Sequence, residues 1–392
     1  MRAWWVSRPG PMSSRPLVMG ERGNLKPKDN ELLIDVSVCG ICRTDLHLAE
    51  GDLQPRHENV VPGHEAVGVV LETRSESSTF QPGDRVGVAW LGGVCGTCAY
   101  CLRGDENLCV APVFTGWDRD GGYAEQMTVS QDFAYRIPEA FTDEEAAPLL
   151  CSGIIGYRAL KRAELPPGGR LGIYGFGSSA HLTAQIAIYL GASVFVMTRS
   201  EAARSLARGL GAEFVGGAYD VPPVLLDAAI LFAPVGDLVP AALRALDRGG
   251  TLAVAGIHLS DIPSLNYTAD LFYERQLRSV TANTRTDGHE FLALAAEIPL
   301  APTTTTYPFE EADRALDDLA ADRITGSAVL RVRPATKHNK AEPFASGTGA
   351  RDPHSLFGGS IMSKPGGQRS LGPVEASTPP IGSGHDRQEH GA

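Results

Sequence analysis

The sequence lacks any apolar run long enough to cross a lipid bilayer. Its longest purely apolar stretch lies around residues 228–235, whereas a membrane-spanning helix needs roughly 20 such residues. The first ten residues, MRAWWVSRPG, also lack the apolar run of a secretory signal. We therefore expect no membrane role and a cytoplasmic location.

The chain also lacks an excess of positive charge. Its 35 lysines and arginines are outnumbered by 46 acidic residues, which gives a formal net charge of −11. Binding to a polyanion requires the opposite balance, and no segment concentrates basic residues on one face. We therefore exclude nucleic acid as a partner, and the acidic balance favours solubility.

A third absence is the even set of cysteines that a disulfide framework requires. There are seven cysteines, in short-spaced groups, at positions 39, 42, 95, 98, 101, 109 and 151. This arrangement is typical of thiolate ligands in a reducing compartment. It agrees with a cytoplasmic location and indicates metal binding.

Two kinds of pattern divide the first 333 residues. The length of 392 residues allows two or three domains. Residues 1–152 alternate short β-rich runs with glycine and proline turns, which predicts a mostly antiparallel β domain. Over 153–299 strands alternate with helices, which predicts βαβ units and a parallel sheet. Residues 300–333 are mixed, with a helix expected over 309–322 and a strand over 328–332.

The remaining segment, residues 334–392, has a different composition. Of its 59 residues 24 are glycine, proline or serine, and Phe344 and Phe357 are its only aromatic residues. Such a segment buries too little apolar surface to offset the entropy of ordering. We therefore predict that it is disordered.

Four cysteines within fifteen residues form the first candidate metal site. Cys95, Cys98, Cys101 and Cys109 have the spacing C-x2-C-x2-C-x7-C. Zinc binds four thiolates at the corners of a tetrahedron, at about 2.3 Å. Disulfides and an iron–sulfur cluster are the alternatives, but so short a loop pairs disulfides poorly and iron–sulfur motifs usually have other spacings. The spacing favours a closed structural zinc site.

Three separate segments offer ligands for a second metal, namely Cys42, His64 and Cys151. A single cysteine in a β domain is more often a small buried hydrophobic residue, and we interpret Cys39 in that way. A single histidine is usually a hydrogen-bonded polar residue. The three residues by themselves leave both interpretations open.

The order of the motifs resembles that of the zinc-dependent medium-chain alcohol dehydrogenases, closest to the bacterial and yeast-type branch. The motifs are C-G-I-C-R-T-D-L-H at 39–47, G-H-E at 63–65, the four-cysteine loop and a glycine-rich βαβ unit. The resemblance extends to about residue 333. It is specific because all four motifs occur together in this order.

This resemblance implies a fold and an activity. The fold is α/β, with a chaperonin-10-like β catalytic domain in two segments (1–152 and 300–333) and a doubly wound Rossmann domain at 153–299. The activity is the interconversion of small alcohols and aldehydes or ketones by hydride transfer with a nicotinamide cofactor. Such enzymes are homodimers or homotetramers, and we expect the same here.

The same resemblance assigns residues to the second metal. Cys42, His64 and Cys151 would hold a catalytic zinc and leave one position open. Glu65 would lie behind the ion and could replace a ligand transiently. Asp45 would orient the His64 imidazole.

A proton path and a substrate pocket are also implied. Thr44 would hydrogen-bond the reacting oxygen and pass its proton, through the cofactor ribose, to His47. Leu53, Trp90 and Trp117 would form an apolar wall suited to a primary alcohol or aldehyde of modest size. The alternative is that the tryptophans are ordinary core residues.

A glycine-rich turn indicates where the nucleotide binds. Gly175-x-Gly177-x-x-Ala180 follows a predicted strand and opens a predicted helix, as dinucleotide binding requires. The first glycine allows a tight turn and the second allows the pyrophosphate to approach. Ser178 and Ser179 lie at the helix N-terminus, which would face the phosphates.

The residues after the second strand favour NADP over NAD. An NAD enzyme carries Asp or Glu there for the ribose 2′-hydroxyl, but this chain has Thr198, Arg199 and Ser200. A guanidinium with two hydroxyls suits a 2′-phosphate, whereas stacking of Arg199 on adenine is the alternative. By resemblance Arg43 contacts the pyrophosphate, while Ser327 replaces an arginine often found in the family.

Two other functions compete on the same scaffold. A zinc-free quinone reductase would lack both cysteine sets. A non-catalytic nicotinamide-binding or sensing protein would have lost residues such as Cys42, Thr44, His47 or His64, and all four are present. We therefore predict a zinc-dependent alcohol dehydrogenase with two zinc ions per chain, NADP (or NAD) as cofactor, and a small alcohol or aldehyde as substrate.

The composition of residues 334–392 generates a first prediction. Truncation after Arg333 should leave activity and melting temperature nearly unchanged, because this segment has too few apolar residues to contribute to a core. The check is a thermal melt and a steady-state assay of both forms. A large drop in either quantity would show that the segment docks on the rest of the protein.

Overall fold

The computed structural model describes residues 1–75 and 77–333. The predicted disorder of residues 334–392 concerns a segment outside the described residues. Within the described part, no helix combines the length and the apolarity that crossing a membrane demands.

Strands are frequent at both ends of the described chain and alternate with helices between them. In chain order the strands are β1 (Arg2–Val6), β2 (Leu17–Glu21), β3 (Glu31–Ile41), β4 (Ala66–Thr73), β5 (Arg85–Val88), β6 (Leu91–Gly93), β7 (Val113–Phe114), β8 (Gln126–Ser130), β9 (Ala134–Arg136), β10 (Arg170–Tyr174), β11 (Ser193–Met197), β12 (Phe214–Gly216), β13 (Leu226–Leu231), β14 (Leu246–Val254), β15 (Gln276–Ser279), β16 (Thr304–Pro308) and β17 (Ser327–Arg331).

Helices alternate with the strands in the second half of the chain and are shorter and fewer in the first half. In chain order they are α1 (Arg43–Glu50), α2 (Ala99–Leu102), α3 (Asp143–Ala146), α4 (Ser152–Ala163), α5 (Ser178–Tyr189), α6 (Glu201–Gly209), α7 (Leu238–Ala245), α8 (Arg285–Glu297) and α9 (Ala312–Ala320).

Strand β3 is central to a seven-stranded sheet. The order is β16-β17-β3-β4-β5-β9, and β8 also pairs with β3. Every pair is antiparallel except β16 with β17, which confirms the predicted mostly antiparallel sheet. Because β17 pairs with β3 across a large sequence separation, we propose that residues 1–152 and 300–333 form one domain.

The second large sheet has six parallel strands. Its order is β12-β11-β10-β13-β14-β15, with all neighbours parallel. This is the order of a doubly wound fold, which reverses between β10 and β13 and binds ligands at the carboxyl ends of the strands there. The structure confirms the predicted fold class, and we propose 153–299 as the limits of this domain.

One hydrophobic core joins the two sheets. It contains Val38 and Val67 from the antiparallel sheet and Leu171 and Ile173 from the parallel sheet, each at most 2% exposed. Helix α4 contacts both α5 and the 3-10 turn that precedes it. Because this core is continuous, the N-terminus of α4 is fixed relative to both sheets.

The last helix is shorter than the predicted span of 309–322. A single 3-10 turn covers Phe309–Glu311, where Phe309 is buried, and α9 then covers Ala312–Ala320. Asp322 has a φ of 54°. An α-helix cannot continue through this left-handed conformation, so the helix ends before residue 322. Strand β17 is shifted by one residue from the predicted 328–332.

A buried histidine links helix α5 to the start of β16. His181 is 0% exposed. Its Nε2 accepts a hydrogen bond from the Thr303 N–H at 3.2 Å, and its Nδ1 lies 3.3 Å from the Gly177 carbonyl oxygen, to which it donates. Burial lowers the pKa of His181 to about 4. The imidazole is therefore neutral at neutral pH, as an acceptor at Nε2 must be.

The depressed pKa of His181 predicts a loss of stability in acid. An unfolded histidine has a pKa of about 6.5, so the unfolded state binds the proton first. The stabilisation is fully present above pH 6.5 and is lost as the pH falls toward 4, by about 3 kcal/mol in total. The variant His181→Gln keeps an acceptor and a donor but does not titrate.

Chemical unfolding at several pH values checks this prediction. The stability of the wild type relative to His181→Gln should fall as the pH is lowered from 7 to 4.5, because only the wild type has this titrating group. If the two proteins show parallel pH dependence, His181 is not protonated on unfolding in this range.

Candidate active site

The chain turns from β3 into α1 at Cys42, which is the N-cap of the helix. The Asp45 carboxylate accepts a hydrogen bond from the Cys42 N–H at 2.9 Å. It also accepts one from the Gly63 N–H at 2.9 Å. Carboxylates in the first turn satisfy N–H groups that have no partner within the helix. Asp45 therefore fixes Cys42 relative to the segment that carries His64.

His64 follows a turn that only glycine fits. Gly63 has a φ of +102°, and a Cβ there would lie 2.5 Å from the Tyr123 ring. The Nδ1 of His64 lies 3.3 Å from Asp45 Oδ1. Both ring nitrogens are buried without a hydrogen bond among the described residues, and Nε2, unlike Nδ1, has no carboxylate of Asp45 beside it. A buried polar atom without a partner is unfavourable, so Nε2 is placed to bind a ligand.

Cys151 joins this site from a distant part of the chain. It lies between the 3-10 turn Ala147–Leu150 and α4, as the N-cap of that helix. Its Sγ is 3.9 Å from the Cys42 Sγ. Two sulfurs on one tetrahedral zinc are about 3.8 Å apart, given bonds of about 2.3 Å, whereas disulfide sulfurs are about 2 Å apart. The separation fits a shared metal ion.

Glu65 is the fourth member of the cluster. One ligand atom from each of Cys42, His64, Glu65 and Cys151 lies within 4.8 Å of all the others. Glu65 has room only because its neighbour on β3 is glycine, since a Cβ on Gly40 would lie 1.9 Å from Glu65 Oε2. The structure thus brings the predicted catalytic ligands together, and their sulfur, nitrogen and oxygen donors fit zinc.

The crowding of these groups shifts their pKa values in opposite directions. A hydrogen bond from the Cys151 thiol lowers the pKa of Cys42, and the same contact raises the pKa of Cys151. Burial raises the pKa of Glu65, and the charge on Cys42 raises it further. Burial disfavours charged His64, but the Asp45 carboxylate and Cys42 together outweigh this effect and raise the pKa of His64. A dication among these groups would favour the thiolate and carboxylate forms and would keep His64 neutral.

The four predicted structural ligands also converge. Cys95 Sγ lies 3.5 Å from Cys109 Sγ and 4.0 Å from Cys101 Sγ, and Cys98 Sγ lies 3.5 Å from Cys101 Sγ. The backbone N–H groups of Cys95 and Ala111 donate to Cys109 Sγ at 3.3 and 3.4 Å. These separations again fit a tetrahedral zinc and exceed disulfide length.

Thr44 and His47 lie one turn apart on α1. Thr44 is 7% exposed, and its Oγ1 lies 3.8 Å from Cys42 Sγ. His47 Nδ1 is 2.9 Å from Asp52 Oδ2, and its ring is 5.7 Å from that of His258. His258 and Asp52 were not predicted from the sequence, since both are exposed polar residues without a motif. Exposure therefore rises along α1, from the buried Thr44 to the His47 side chain, which is 19% exposed.

The two predicted pocket tryptophans stack beside His64. The Trp90 and Trp117 ring centroids are 5.9 Å apart, and Trp90 meets the His64 ring edge-on at 4.9 Å. Phe114, which the sequence analysis missed, stacks on Trp90 at 4.8 Å. Leu53 lies just beyond α1, half-buried. The three aromatic rings form a continuous apolar surface next to the cluster.

The glycine-rich turn lies where the parallel sheet reverses its order. Gly175 has a φ of +85°, and a Cβ there would lie 2.8 Å from the Ala233 backbone nitrogen. A Cβ on Gly177 would meet no atom within 4 Å. The backbone before α5 therefore faces open space, and a helix N-terminus with such access fits a dinucleotide phosphate.

Hydroxyl groups line the start of α5. Ser178 Oγ lies 2.6 Å from Ser152 Oγ and 2.5 Å from Ser327 Oγ. Ser179 uses its carbonyl within α5 to accept a hydrogen bond from the Thr183 hydroxyl at 2.8 Å. Ser327 is thus part of a chain of hydroxyls.

The three residues after β11 differ in their surroundings. Thr198 is 5% exposed and its N–H donates to the Gly216 carbonyl at 3.1 Å. The Ser200 hydroxyl caps α6 by accepting from the Ala203 N–H. Arg199 and Ser200 are both exposed, and the long Arg199 side chain is 81% exposed. A phosphate at this point would therefore meet the Arg199 guanidinium first.

Comparison with known proteins agrees with this geometry. The family model of the alcohol dehydrogenase GroES-like domain matches residues 28–139. A probable alcohol dehydrogenase, AdhA, of Mycobacterium tuberculosis is 58% identical over 337 residues, which are 85% of this chain and 97% of that protein. An alcohol dehydrogenase of Geobacillus stearothermophilus is 34% identical over 318 residues, 79% of this chain and 93% of that one.

A solved structure extends the likeness to three dimensions. The cinnamyl alcohol dehydrogenase SbCAD4 of Sorghum bicolor superposes with a TM-score of 0.75 at 27% identity, over 88% of this chain and 100% of that chain. Sequence and structure therefore agree on one assignment: the chain belongs to the zinc-type medium-chain alcohol dehydrogenase family and is an alcohol oxidoreductase.

Proposed function

We propose that this protein is a zinc-dependent alcohol dehydrogenase that interconverts small alcohols and aldehydes or ketones, with NADP preferred over NAD. The observation that carries the proposal is the buried His64 Nε2, which lacks a hydrogen-bond partner in the described chain and lies among Cys42, Cys151 and Glu65. A non-catalytic sensor would have no need of such a donor set. The protein acts in the cytoplasm as a homodimer or homotetramer.

Cys42, His64 and Cys151 hold the catalytic zinc in this proposal. When bound, the ion would supply Lewis-acid activation of an alcohol oxygen. Asp45 orients the imidazole from 3.3 Å and keeps Nε2 aimed at the metal, as carboxylates behind zinc-bound histidines do. Glu65 lies behind the three ligands and could replace one of them transiently.

Thr44 and His47 move the proton. Thr44 is buried next to Cys42, so its hydroxyl is placed to hold the substrate hydroxyl group. His47 lies further out, and Asp52 holds its Nδ1 at 2.9 Å, which leaves Nε2 to receive the proton. The Asp52 side chain is 63% exposed, so this path ends in solvent.

The aromatic surface selects the substrate. Trp90 packs against the His64 ring, so Trp90, Phe114 and Trp117 border the space next to the catalytic ligands. Apolar walls with few polar groups suit a primary alcohol or aldehyde of modest size, and they offer no partners for the hydroxyls of a sugar. Leu53 completes this wall in the proposal.

Cys95, Cys98, Cys101 and Cys109 hold a second zinc, which is structural. A closed four-thiolate site leaves no position for substrate, and its metal contributes directly to folding. The loop of residues 95–109 that carries this site also contacts the start of α8, since Glu106 accepts two hydrogen bonds from Arg285, at 3.0 and 2.9 Å.

A nicotinamide cofactor would bind at the carboxyl ends of β10, β11 and β13. Gly175 and Gly177 admit its pyrophosphate to the N-terminus of α5, and Arg43 pairs with the same group. Arg199 takes the 2′-phosphate of NADP. Thr198 adds a hydroxyl near this point, and the Ser200 hydroxyl, which accepts a hydrogen bond from the Ala203 N–H, keeps its own O–H to donate to the phosphate.

The zinc assignment predicts two zinc ions per chain. Cys95→Ser should lower the zinc content to one and reduce thermal stability, because a closed thiolate site stabilises the fold. Cys39→Ala is the matched control, since Cys39 is a buried cysteine outside both clusters. It should keep two zinc ions and lose stability only through packing.

Elemental analysis and thermal melts of zinc-replete protein measure both quantities. A wild type with one zinc ion or none would contradict the assignment of two sites. A Cys95→Ser variant with unchanged melting temperature would contradict the structural assignment alone.

The residues after β11 predict the cofactor preference. A charge-assisted bond from Arg199 to a phosphate contributes about 1.5–3 kcal/mol, so kcat/KM should favour NADPH over NADH by about ten- to a hundredfold. Thr198→Asp combined with Arg199→Ile should reverse this preference, because it removes the cation and adds a partner for the ribose hydroxyl.

An assay at 340 nm with a panel of aldehydes and alcohols, run with both cofactors, checks the activity and the preference together. Equal or better rates with NADH would reject the NADP assignment and leave the zinc assignment intact. Lack of turnover with every substrate, in zinc-replete protein, would reject the enzymatic function itself.

A further inference from the structure

Two arginines, one at the start of α1 and one just after β11, share one carboxylate. Arg43 donates from Nη2 to Asp322 Oδ1, and Arg199 donates from Nη2 to Asp322 Oδ2. Arg43 comes from the start of α1 and Arg199 from the end of β11, whereas Asp322 lies in the turn between α9 and β17. A residue of the antiparallel-sheet segment thus connects both cations.

The turn holds Asp322 in an uncommon conformation. Its φ is 54°, in the left-handed region that favours glycine and that aspartate and asparagine tolerate better than most residues. The next residue, Arg323, does not neutralise it, because Arg323 pairs with Asp317 and Asp318 at 2.8 and 2.7 Å. The Asp322 carboxylate is therefore directed at Arg43 and Arg199 alone among the described cations.

We propose that Asp322 sets the affinity for the cofactor and the balance between NADP and NAD, by competing with cofactor phosphates for Arg43 and Arg199. This inference rests on the proposed function, which places the pyrophosphate at Arg43 and the 2′-phosphate at Arg199. Each guanidinium gives its Nη2 to the carboxylate, so a phosphate that uses the same donor must displace Asp322. Binding therefore exchanges each ion pair for an arginine–phosphate pair.

The exchange is feasible because these ion pairs are weak. The side chains of Arg43, Arg199 and Asp322 are 44%, 81% and 47% exposed, and exposed ion pairs are screened by water and salt. Arginine–phosphate pairs are charge-assisted and stronger. The displaced carboxylate then lies near the incoming phosphates and repels them, so it lowers affinity in the bound state as well.

The competition is unequal for the two cofactors. Arg43 would meet the pyrophosphate, which NAD and NADP share, whereas Arg199 would meet the 2′-phosphate, which only NADP has. Loss of the Asp322 charge should therefore tighten binding of both, and more strongly that of NADP. Asp322 acts through the arginines, so it is a specificity-determining residue without direct contact with the reacting atoms.

Binding of nucleotide fragments to the zinc-replete full chain tests this proposal without turnover. Calorimetric titration of 2′,5′-ADP and 5′-AMP separates the two phosphates, and NADPH and NADH are titrated in parallel. Asp322→Asn removes the charge and tolerates the left-handed φ. Asp322→Gly removes the whole side chain and suits that φ even better. Asp317→Asn is the control, because it removes a carboxylate of α9 that contacts neither Arg43 nor Arg199.

Both Asp322 variants should bind 2′,5′-ADP about three- to fivefold more tightly than the wild type, and 5′-AMP by about twofold or less. Asp317→Asn should leave the ratio of the two affinities unchanged. The gain should shrink as salt is raised, since it is electrostatic. Thermal melts of all variants show whether the fold is retained.

Two results would overturn the proposal. Unchanged affinities in both folded Asp322 variants would show that the carboxylate does not compete. Weaker binding of 5′-AMP and NADH would show that Asp322 is itself a partner of the cofactor. The affinities of the wild type for NADPH and NADH test the NADP preference by themselves. The ratio of variant to wild-type affinity tests the role of Asp322, whichever cofactor the wild type prefers.

Discussion

The arrangement of the candidate zinc ligands depends on the buried carboxylate of Asp45. It accepts hydrogen bonds from the N–H groups of Cys42 and Gly63 and from the Tyr123 hydroxyl at 3.5 Å. It also lies 3.3 Å from the Nδ1 of His64. A buried charge is unfavourable unless such partners surround it. These contacts hold the start of α1 and the turn before His64 in one geometry, so the donor atoms are positioned before a metal binds.

The position of the third ligand, Cys151, depends on the core instead. Cys151 is the N-cap of α4, and α4 packs in the core that contains side chains of both sheets. The catalytic ligands are therefore fixed relative to the carboxyl ends of the parallel strands, where the doubly wound fold binds a nucleotide. The same core supports the candidate metal ligands and the nucleotide-binding edge of the parallel sheet, and His181 adds a polar link between α5 and the start of β16.

Sequence alone predicted those features whose physical causes are local. The spacing of Cys95 to Cys109 defines a metal loop by itself, and the Gly175–Gly177 turn follows from strand and helix periodicity. The ligands Cys42, His64 and Cys151 are far apart along the chain, so only the resemblance placed them together. Phe114, His258 and Asp322 were missed because tertiary contacts bring them to the cleft. Ser200 stays a predicted phosphate ligand, and its hydroxyl also accepts the hydrogen bond that caps α6, a second role that the sequence does not reveal.

Zinc K-edge X-ray absorption of the zinc-replete chain tests the central claim most directly. One four-thiolate site and one site of two thiolates with nitrogen or oxygen should give an average of about three sulfur ligands at about 2.3 Å and about one lighter ligand at about 2.0–2.1 Å per zinc. A shell of four sulfurs with no lighter ligand would mean that only the Cys95–Cys109 loop binds zinc. That result would contradict the assignment of Cys42, His64 and Cys151 as a catalytic metal site.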